Sequence, residues 1–206
     1  MKFSPIEKRI LINLWTNDTK NMASALSEMI RKDVKIVSCS LRRIWVNMVP
    51  KFLNPQEVSF LMVYTKILRN LNGVIAFTSS LKNILKIIDI LLHKKIGYYN
   101  ALSQENLPVI KELGNVLNGY YLTSLSNIFG NEISWEYPRI STNAYRVIED
   151  FEFNHIYIQK IYVLMFNGKL SIDYAKIRFQ MLLLLKEESA RKLLDKLAEI
   201  DGSIKP

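Results

Sequence analysis

The stretch KELGNVLNGYYLTSLSNIFG, residues 111–130, sets polar residues and glycines into a segment that is otherwise apolar. Drawn as a helix at about 100° per residue, the segment and the residues just before it place their apolar side chains on one broad arc. We expect that arc to face a sheet. Its members are Val109, Ile110, Leu113, Val116, Leu117, Tyr120, Ser124 and Ile128.

A second, narrow arc of the same helix holds Pro108, Glu112, Asn115, Gly119 and Ser126. Glu112 and Asn115 are three residues apart, so their side chains are neighbours on a helix. A glycine inside a helix costs about 1 kcal/mol relative to alanine, which close approach by another backbone or by a partner protein would offset. This polar stripe offers a carboxylate, a carboxamide that can hold a water molecule, and a gap. An ordinary solvated helix face remains the alternative reading.

Composition predicts a folded domain without a soft-ligand metal site. The chain has 206 residues, of which 49 % are hydrophobic, enough for a substantial core. Cys39 is the single cysteine, so no internal disulfide can form. With His93 and His155 as the only histidines, no zinc-ligand spacing exists, and we expect no metal of the protein's own.

The basic charge is concentrated in the first half of the chain. Residues 1–100 hold 16 Lys and Arg against 6 Asp and Glu, whereas residues 101–206 hold 12 against 13. This excess could steer an acidic partner, or it could be a solvated lysine-rich surface. No basic run or nucleic-acid motif is present, so we expect no nucleic-acid binding. The N-terminus does not read as a signal peptide, and no apolar run could span a bilayer, so we expect a cytoplasmic, soluble protein.

An internal repeat relates the two halves. When the sequence is shifted by 99 positions, residues 23–39 align with residues 122–138, with matching apolar positions and a matching helix-to-strand change. We therefore predict a duplication, with halves of about 1–100 and 101–206 that share one core in a single domain over residues 1–206.

The periodicity of each half predicts an α+β, two-layer fold in which long helices pack against a mostly antiparallel sheet. Asn167-Gly168 is predicted to form a hairpin turn. The predicted helices are about 5–31, 80–93, 105–129, a short one after 140, and the closing segment 186–200. The predicted strands are 34–39, 43–49, 58–66, 73–78, 132–137, 155–166 and 174–185.

At the polar stripe the sequence resembles the CheC/CheX/FliY phosphatases of bacterial and archaeal chemotaxis, and is closest to the CheC-like members. Their signature is Asp or Ser, three residues, Glu, two residues, Asn, then 22 residues and Pro. Glu112, Asn115 and Pro138 match this spacing. The Asp or Ser position is occupied by Pro108, which suits the first turn of a helix. The glycines at 114 and 119 also match.

The resemblance implies a hydrolase that removes the phosphate from an aspartate of a CheY-type response regulator in two-component signalling. In the family, the asparagine positions the attacking water and the glutamate pairs with a lysine of the regulator. Carried over, Asn115 would orient the water and Glu112 would dock the partner, with Gly119, Pro138 and Ser126 shaping the site. The magnesium ion belongs to the regulator, so no cofactor of the chain's own is implied.

The first half has lost this signature. By the 99-residue shift, Glu112 corresponds to Asn13 and Asn115 to Thr16. Trp15 and Lys20 stand where the second half has Gly114 and Gly119, and Cys39 stands in place of Pro138. We therefore expect a degenerate first site and one active helix.

A second hypothesis is a non-catalytic adaptor, because family members also bind CheD or form part of the flagellar switch. A hydrolase of another type is not indicated, since the chain has no GxSxG motif and no P-loop. Tyr120 is expected to pack in the core, with Tyr121 at its edge and neither acting in catalysis.

Overall fold

The computed structural model describes residues 5–49, 51, 59–130, 132–151, 161–172 and 175–200. The helices are α1 (Pro5–Ile30), α2 (Leu81–Leu91), α3 (Asn106–Ile128), α4 (Ala144–Phe151) and α5 (Glu187–Ile200). The strands are β1 (Val34–Trp45), β2 (Phe60–Ile67), β3 (Gly73–Ser80), β4 (Arg139–Ser141), β5 (Ile161–Ile172) and β6 (Ala175–Lys186). A short 3₁₀ turn, Val46–Met48, follows β1.

In the described part of the chain, the six strands form one sheet in the order β1-β5-β6-β3-β2-β4, with every neighbouring pair antiparallel. If the three strands of the first half are exchanged with the three of the second half, the same order is read in reverse. The arrangement therefore has the form of a pseudo-twofold, while duplication of the sequence stays a prediction. The predicted α+β fold with an antiparallel sheet and long helices is confirmed.

The two faces of the sheet carry separate apolar clusters, because successive side chains of a strand point to opposite sides. In β2, Leu61 and Val63 join the main core with α1, α2, α3 and α5. Met62 and Tyr64 join a smaller cluster on the other face. That second cluster includes Val147 of α4, so the short helix covers part of the sheet face opposite the long helices.

Local signals fix where two of the helices begin. The hydroxyl of Ser80 accepts a hydrogen bond from the backbone N–H of Asn83 at 3.3 Å, which caps α2. Helix α5 starts with Glu187 and Glu188, as its sequence predicts, since acidic side chains are favourable in the first turn of a helix.

Three of the predicted strands were wrong in their bounds. The predicted strands 34–39 and 43–49 are one continuous strand, β1, with an irregularity between Ile36 and Ser38. The predicted strand 132–137 is reduced to one bridge between Ile67 and Trp135, and the regular strand starts only at Arg139. Pro138 lies between the two and lacks the N–H that a ladder needs. Of the predicted strand 155–166, residues 155–160 lie outside the described residues.

The predicted hairpin at Asn167-Gly168 is wrong, because β5 runs through both residues to Ile172. Gly168 pairs with residues on both neighbouring strands and sits against the ring of Phe179. A Cβ at position 168 would lie 2.1 Å from Cζ of Phe179, so the strand needs glycine here for space. Ile172 pairs with Ala175, and residues 173–174 between them lie outside the described residues.

Candidate functional site

Helix α3 lies close to β2 because residue 114 is a glycine. A Cβ built on Gly114 would lie 2.0 Å from Cγ1 and 2.6 Å from Cβ of Val63. Real carbon atoms do not approach so closely, so any side chain would push the helix off the strand. The backbone of α3 therefore rests directly on Val63 at Gly114, which is the residue just before Asn115.

Asn118, which is not among the predicted site residues, fixes the same contact one turn later. Its side chain is fully buried. Its Nδ2 donates hydrogen bonds to the carbonyl oxygen of Val63 at 3.1 Å and to Oγ1 of Thr65 at 3.2 Å. Residues four apart lie on the same side of a helix, so the spacing of Gly114 and Asn118 is the signal that could have shown this contact.

Three positions of the predicted polar stripe, Glu112, Asn115 and Gly119, face outward. Glu112 is exposed, and Asn115 is partly exposed. A Cβ built on Gly119 would meet no heavy atom within 4 Å. In the part of the chain that the structure describes, neither the Glu112 carboxylate nor the Asn115 carboxamide has a hydrogen bond or an ion pair. Their polar groups are thus available to a visiting molecule beside an open space.

The far end of the stripe is covered. Ser126, which was predicted to lie on this stripe and to shape the site, is 7 % exposed, so its side chain is covered. Pro138 is also buried. After α3 the chain turns back along β2, where the N–H of Leu68 donates to the carbonyl of Ser134 at 2.8 Å. The chain that follows α3 therefore lies beside the end of β2, a position the periodicity could not reveal.

No protein-family model matches the chain. Solved structures do match along nearly its whole length. FliY from Thermotoga maritima superposes with a TM-score of 0.72 at 16 % identity, covering 97 % of this chain and 99 % of that one. The FliM middle domain from H. pylori gives 0.66 at 15 % identity, covering 94 % and 99 %. The chemotaxis protein CheX from Desulfovibrio desulfuricans gives 0.52 at 13 % identity, covering 84 % and 99 %.

The chain has the CheC/CheX/FliY-type fold. The family resemblance read from the sequence is thereby confirmed for the architecture. Within this fold, the stripe of Glu112, Asn115 and Gly119 lies on the outer side of α3.

In the first half of this CheC/CheX/FliY-type fold, an indole occupies the position of Gly114. Trp15 is buried and its ring stacks on Phe166 of β5 with centroids 3.8 Å apart, and it also contacts Tyr121 at 4.3 Å. Asn13 is exposed, whereas the Thr16 hydroxyl donates to the Ile12 carbonyl of its own helix at 2.7 Å. The exposed pair of carboxylate and carboxamide found in the second half is absent from these two described positions.

The predicted roles of the two tyrosines are reversed. Tyr121 is fully buried, and its hydroxyl lies 2.7 Å from Oγ1 of Thr19 on α1. Tyr120 is only partly buried. The inner arc of α3 was predicted from apolar side chains alone. Gly114 and Asn118 are also buried, so the buried face of α3 is rotated toward these two residues.

Helix α1 contributes one buried carboxyl group to its contact with α3. Asp18 is almost fully buried, and burial raises its pKa to about 7, while a hydrogen bond from Ser124 acts in the opposite direction. Among the described residues, no group of three or more His, Cys, Asp or Glu side chains could hold a metal ion. None of the described helices is long and apolar enough to cross a membrane.

Proposed function

We propose that this protein accelerates hydrolysis of the aspartyl phosphate of a CheY-type response regulator through the outer side of α3. The observation that carries the proposal is the stripe itself: Glu112 and Asn115 face outward without partners among the described residues, beside the open position at Gly119. A protein docking on this stripe would meet both side chains at once. Such a role would be carried out in the cytoplasm, where response regulators act.

The protein needs to contribute little to the reaction because an aspartyl phosphate is already a reactive mixed anhydride. The oxygen of a water molecule forms a bond to phosphorus, the bond to the aspartyl oxygen breaks, and the carboxylate and inorganic phosphate leave. The Asn115 carboxamide can accept a hydrogen bond from that water and hold it in line. Positioning of this kind supplies much of the rate in phosphoryl transfer.

Glu112 is assigned to docking and not to proton transfer. A carboxylate one turn from Asn115 can pair with a lysine of the regulator and so orient the complex. The magnesium ion would be the regulator's own and is not a ligand of this chain. Because Trp15 and Thr16 replace the signature in the first half, the proposal assigns one active helix per chain.

The test is the lifetime of the acyl phosphate on a CheY-type regulator, with and without this protein. Asn115→Ala should lose at least about tenfold of the acceleration, because an aligned water is lost, while keeping the fold. Asn127→Ala, an exposed asparagine on the same helix, is the matched control and should be as fast as the parent. An Asn115→Ala variant that matches the parent would overturn the water-orienting role.

A non-catalytic adaptor of the chemotaxis or flagellar switch system is the second candidate. The FliY and FliM structures superpose better than the CheX structure, with TM-scores of 0.72 and 0.66 against 0.52. Solved structures also describe FliM in complexes with FliG and with SpeE. In that case the protein would bind CheD, a CheY-type regulator or a switch component without shortening the acyl-phosphate lifetime, and Asn115→Ala would leave binding unchanged.

A further inference from the structure

A cleft of about 470 Å³ lies between α2 and the loop that follows this helix. Its apolar lining comes from Leu81 and Leu85 of α2 and from Ile96 and Tyr99 of the loop. Clefts that bind small molecules enclose roughly 300–1,000 Å³ and combine apolar walls with a few polar groups. The cleft therefore has the size and the walls of a small-molecule site, and no residue of the stripe on α3 lines it.

The carboxylate of Asp89 holds the loop against α2 and so fixes one wall of the cleft. Asp89 is fully buried, and its two oxygens accept hydrogen bonds from the backbone N–H groups of Gly97 at 2.6 Å and Tyr99 at 3.0 Å. The backbone N–H of Lys94 also donates to the carbonyl oxygen of Asp89 at 2.7 Å. Because both carboxylate oxygens are bonded and covered, this group braces the wall and offers no acceptor to a ligand.

Two lysines of α2 bring positive charge to the cleft. Lys82 and Lys86 are four residues apart, so they lie on the same side of the helix, and both line the cleft. Neither side chain has an ion pair or a hydrogen bond within the part of the chain that the structure describes. On α5, by contrast, Lys192 and Lys196 have the same spacing, and each pairs with a glutamate of its own helix. The two ammonium groups of α2 are therefore free to pair with a ligand.

The other charges around the cleft also favour an anion. The first turn of α2 has no acidic residue and carries Lys82 instead. Since the N-terminal end of a helix is partially positive, negative charge is favourable there and a lysine is not. Asp89 is the only acid among the described residues that line the cleft, and the two lysines outnumber it. A negative group beside Lys82 and Lys86 would therefore lie in a favourable field.

We propose that this cleft binds a small amphiphilic carboxylate, whose charged group pairs with Lys82 and Lys86 and whose hydrocarbon body packs against Leu81, Leu85 and Ile96. The free ammonium groups select an anion over a neutral or cationic amphiphile. The apolar walls select a ligand with a hydrocarbon body over a fully hydrated anion, because such an ion would leave those walls in water. The proposal is independent of the phosphatase function, since the two sites share no residue.

Isothermal titration of the full chain with octanoate, below the concentration at which octanoate forms micelles, tests the site. Octanoate should bind once per chain and at least about tenfold more tightly than octanol, octylammonium or inorganic phosphate, because only octanoate satisfies both the lysines and the walls. Lys82→Ala/Lys86→Ala should weaken octanoate binding at least about tenfold. Lys192→Ala/Lys196→Ala is the matched control, since it removes the same charge at the same spacing from α5, and it should bind as the parent does.

Several results would overturn the proposal. A parent that does not bind octanoate refutes the site, and octanol or phosphate that binds as tightly as octanoate refutes the pairing of charge with apolar walls. Equal weakening in the two double variants refutes the role of Lys82 and Lys86. Binding to vesicles of anionic phospholipid without binding to free octanoate would assign this face to a membrane surface and refute the small ligand.

One more variant tests the location and guards against a folding defect. Ile96 is 54 % exposed at the rim of the cleft, so Ile96→Asp should leave the denaturation midpoint unchanged. The added carboxylate would repel octanoate and should weaken its binding at least about tenfold. An affinity equal to that of the parent would show that octanoate does not bind in this cleft.

Discussion

Alanine at the two glycines of α3 should change stability in opposite directions. At Gly114, the added carbon would lie 2.0 Å from Cγ1 and 2.6 Å from Cβ of Val63, where about 3.5–4.0 Å is the normal separation. The Cβ of Val63 is fixed to the backbone of β2, which is paired on both sides at this residue, so it cannot swing aside. Overpacking of this kind destabilises by about 1–3 kcal/mol, and this site belongs at the upper end.

Helix propensity partly offsets that loss, since alanine is better than glycine in a helix by about 1 kcal/mol. Gly114→Ala should therefore lower the free energy of unfolding by about 2 kcal/mol. At Gly119 no heavy atom lies within 4 Å of the added carbon, so only the propensity term remains. Gly119→Ala should raise the free energy of unfolding by about 0.5–1 kcal/mol, giving a difference of about 3 kcal/mol between the two variants.

Urea unfolding followed by circular dichroism measures both values on the same protein preparation. Equal effects of the two substitutions, or a Gly114→Ala variant as stable as the parent, would refute the argument that α3 rests on Val63. Gly119→Ala also places a methyl group beside Asn115, so its phosphatase rate separates the structural effect from any effect on docking. Under the proposed function, the stabilised variant should be slower than the parent.

Two further substitutions test the buried polar groups of the helix layer. Asn118→Ala removes two hydrogen bonds from α3 to β2 and should lower the free energy of unfolding by about 1–3 kcal/mol. Urea unfolding measures this value. A change below about 0.5 kcal/mol would show that these hydrogen bonds do not hold the helix on the strand. Asp18 has its pKa raised by burial to about 7 from a usual value near 3.8, so the folded protein keeps a proton that the unfolded chain releases. The contribution of this carboxyl to stability is fully present below about pH 4 and is lost as the pH rises through about 7. Asp18→Asn should remove that loss, so the variant should be more stable than the parent between pH 5 and pH 8. Unfolding midpoints that shift equally with pH in both proteins would contradict the raised pKa of Asp18.

Much of the fold follows from local pattern. The periodicity predicts α1, α2, α3 and α5 to within about two residues, because an apolar stripe repeats with the helical turn. The predicted strands 58–66 and 73–78 correspond to β2 and β3, whose residues are buried almost continuously. The spacing of Glu112 and Asn115 predicts that both lie on one side of a helix, and the structure has them there.

The tertiary structure decided which sides are covered. A helical wheel gives the direction of each side chain from the axis, but not what stands opposite. Gly114 and Gly119 look alike in the sequence, yet one rests on a strand and the other faces open space. Ser126 shares its side of the helix with Asn115 but is buried.

The sequence pattern does not show which distant segments meet, and this explains why the predictions for the turn and for the two tyrosines were wrong. Asn167-Gly168 has the composition of a hairpin turn, but the glycine is needed for the ring of Phe179 on the neighbouring strand. Adjacent tyrosines at 120 and 121 differ in burial because α1 lies against one of them. The sequence by itself determined the helices and the shared side of Glu112 and Asn115 on α3, since both depend on spacing along the chain. Contacts between distant segments required the structure, because no local period encodes which surfaces meet.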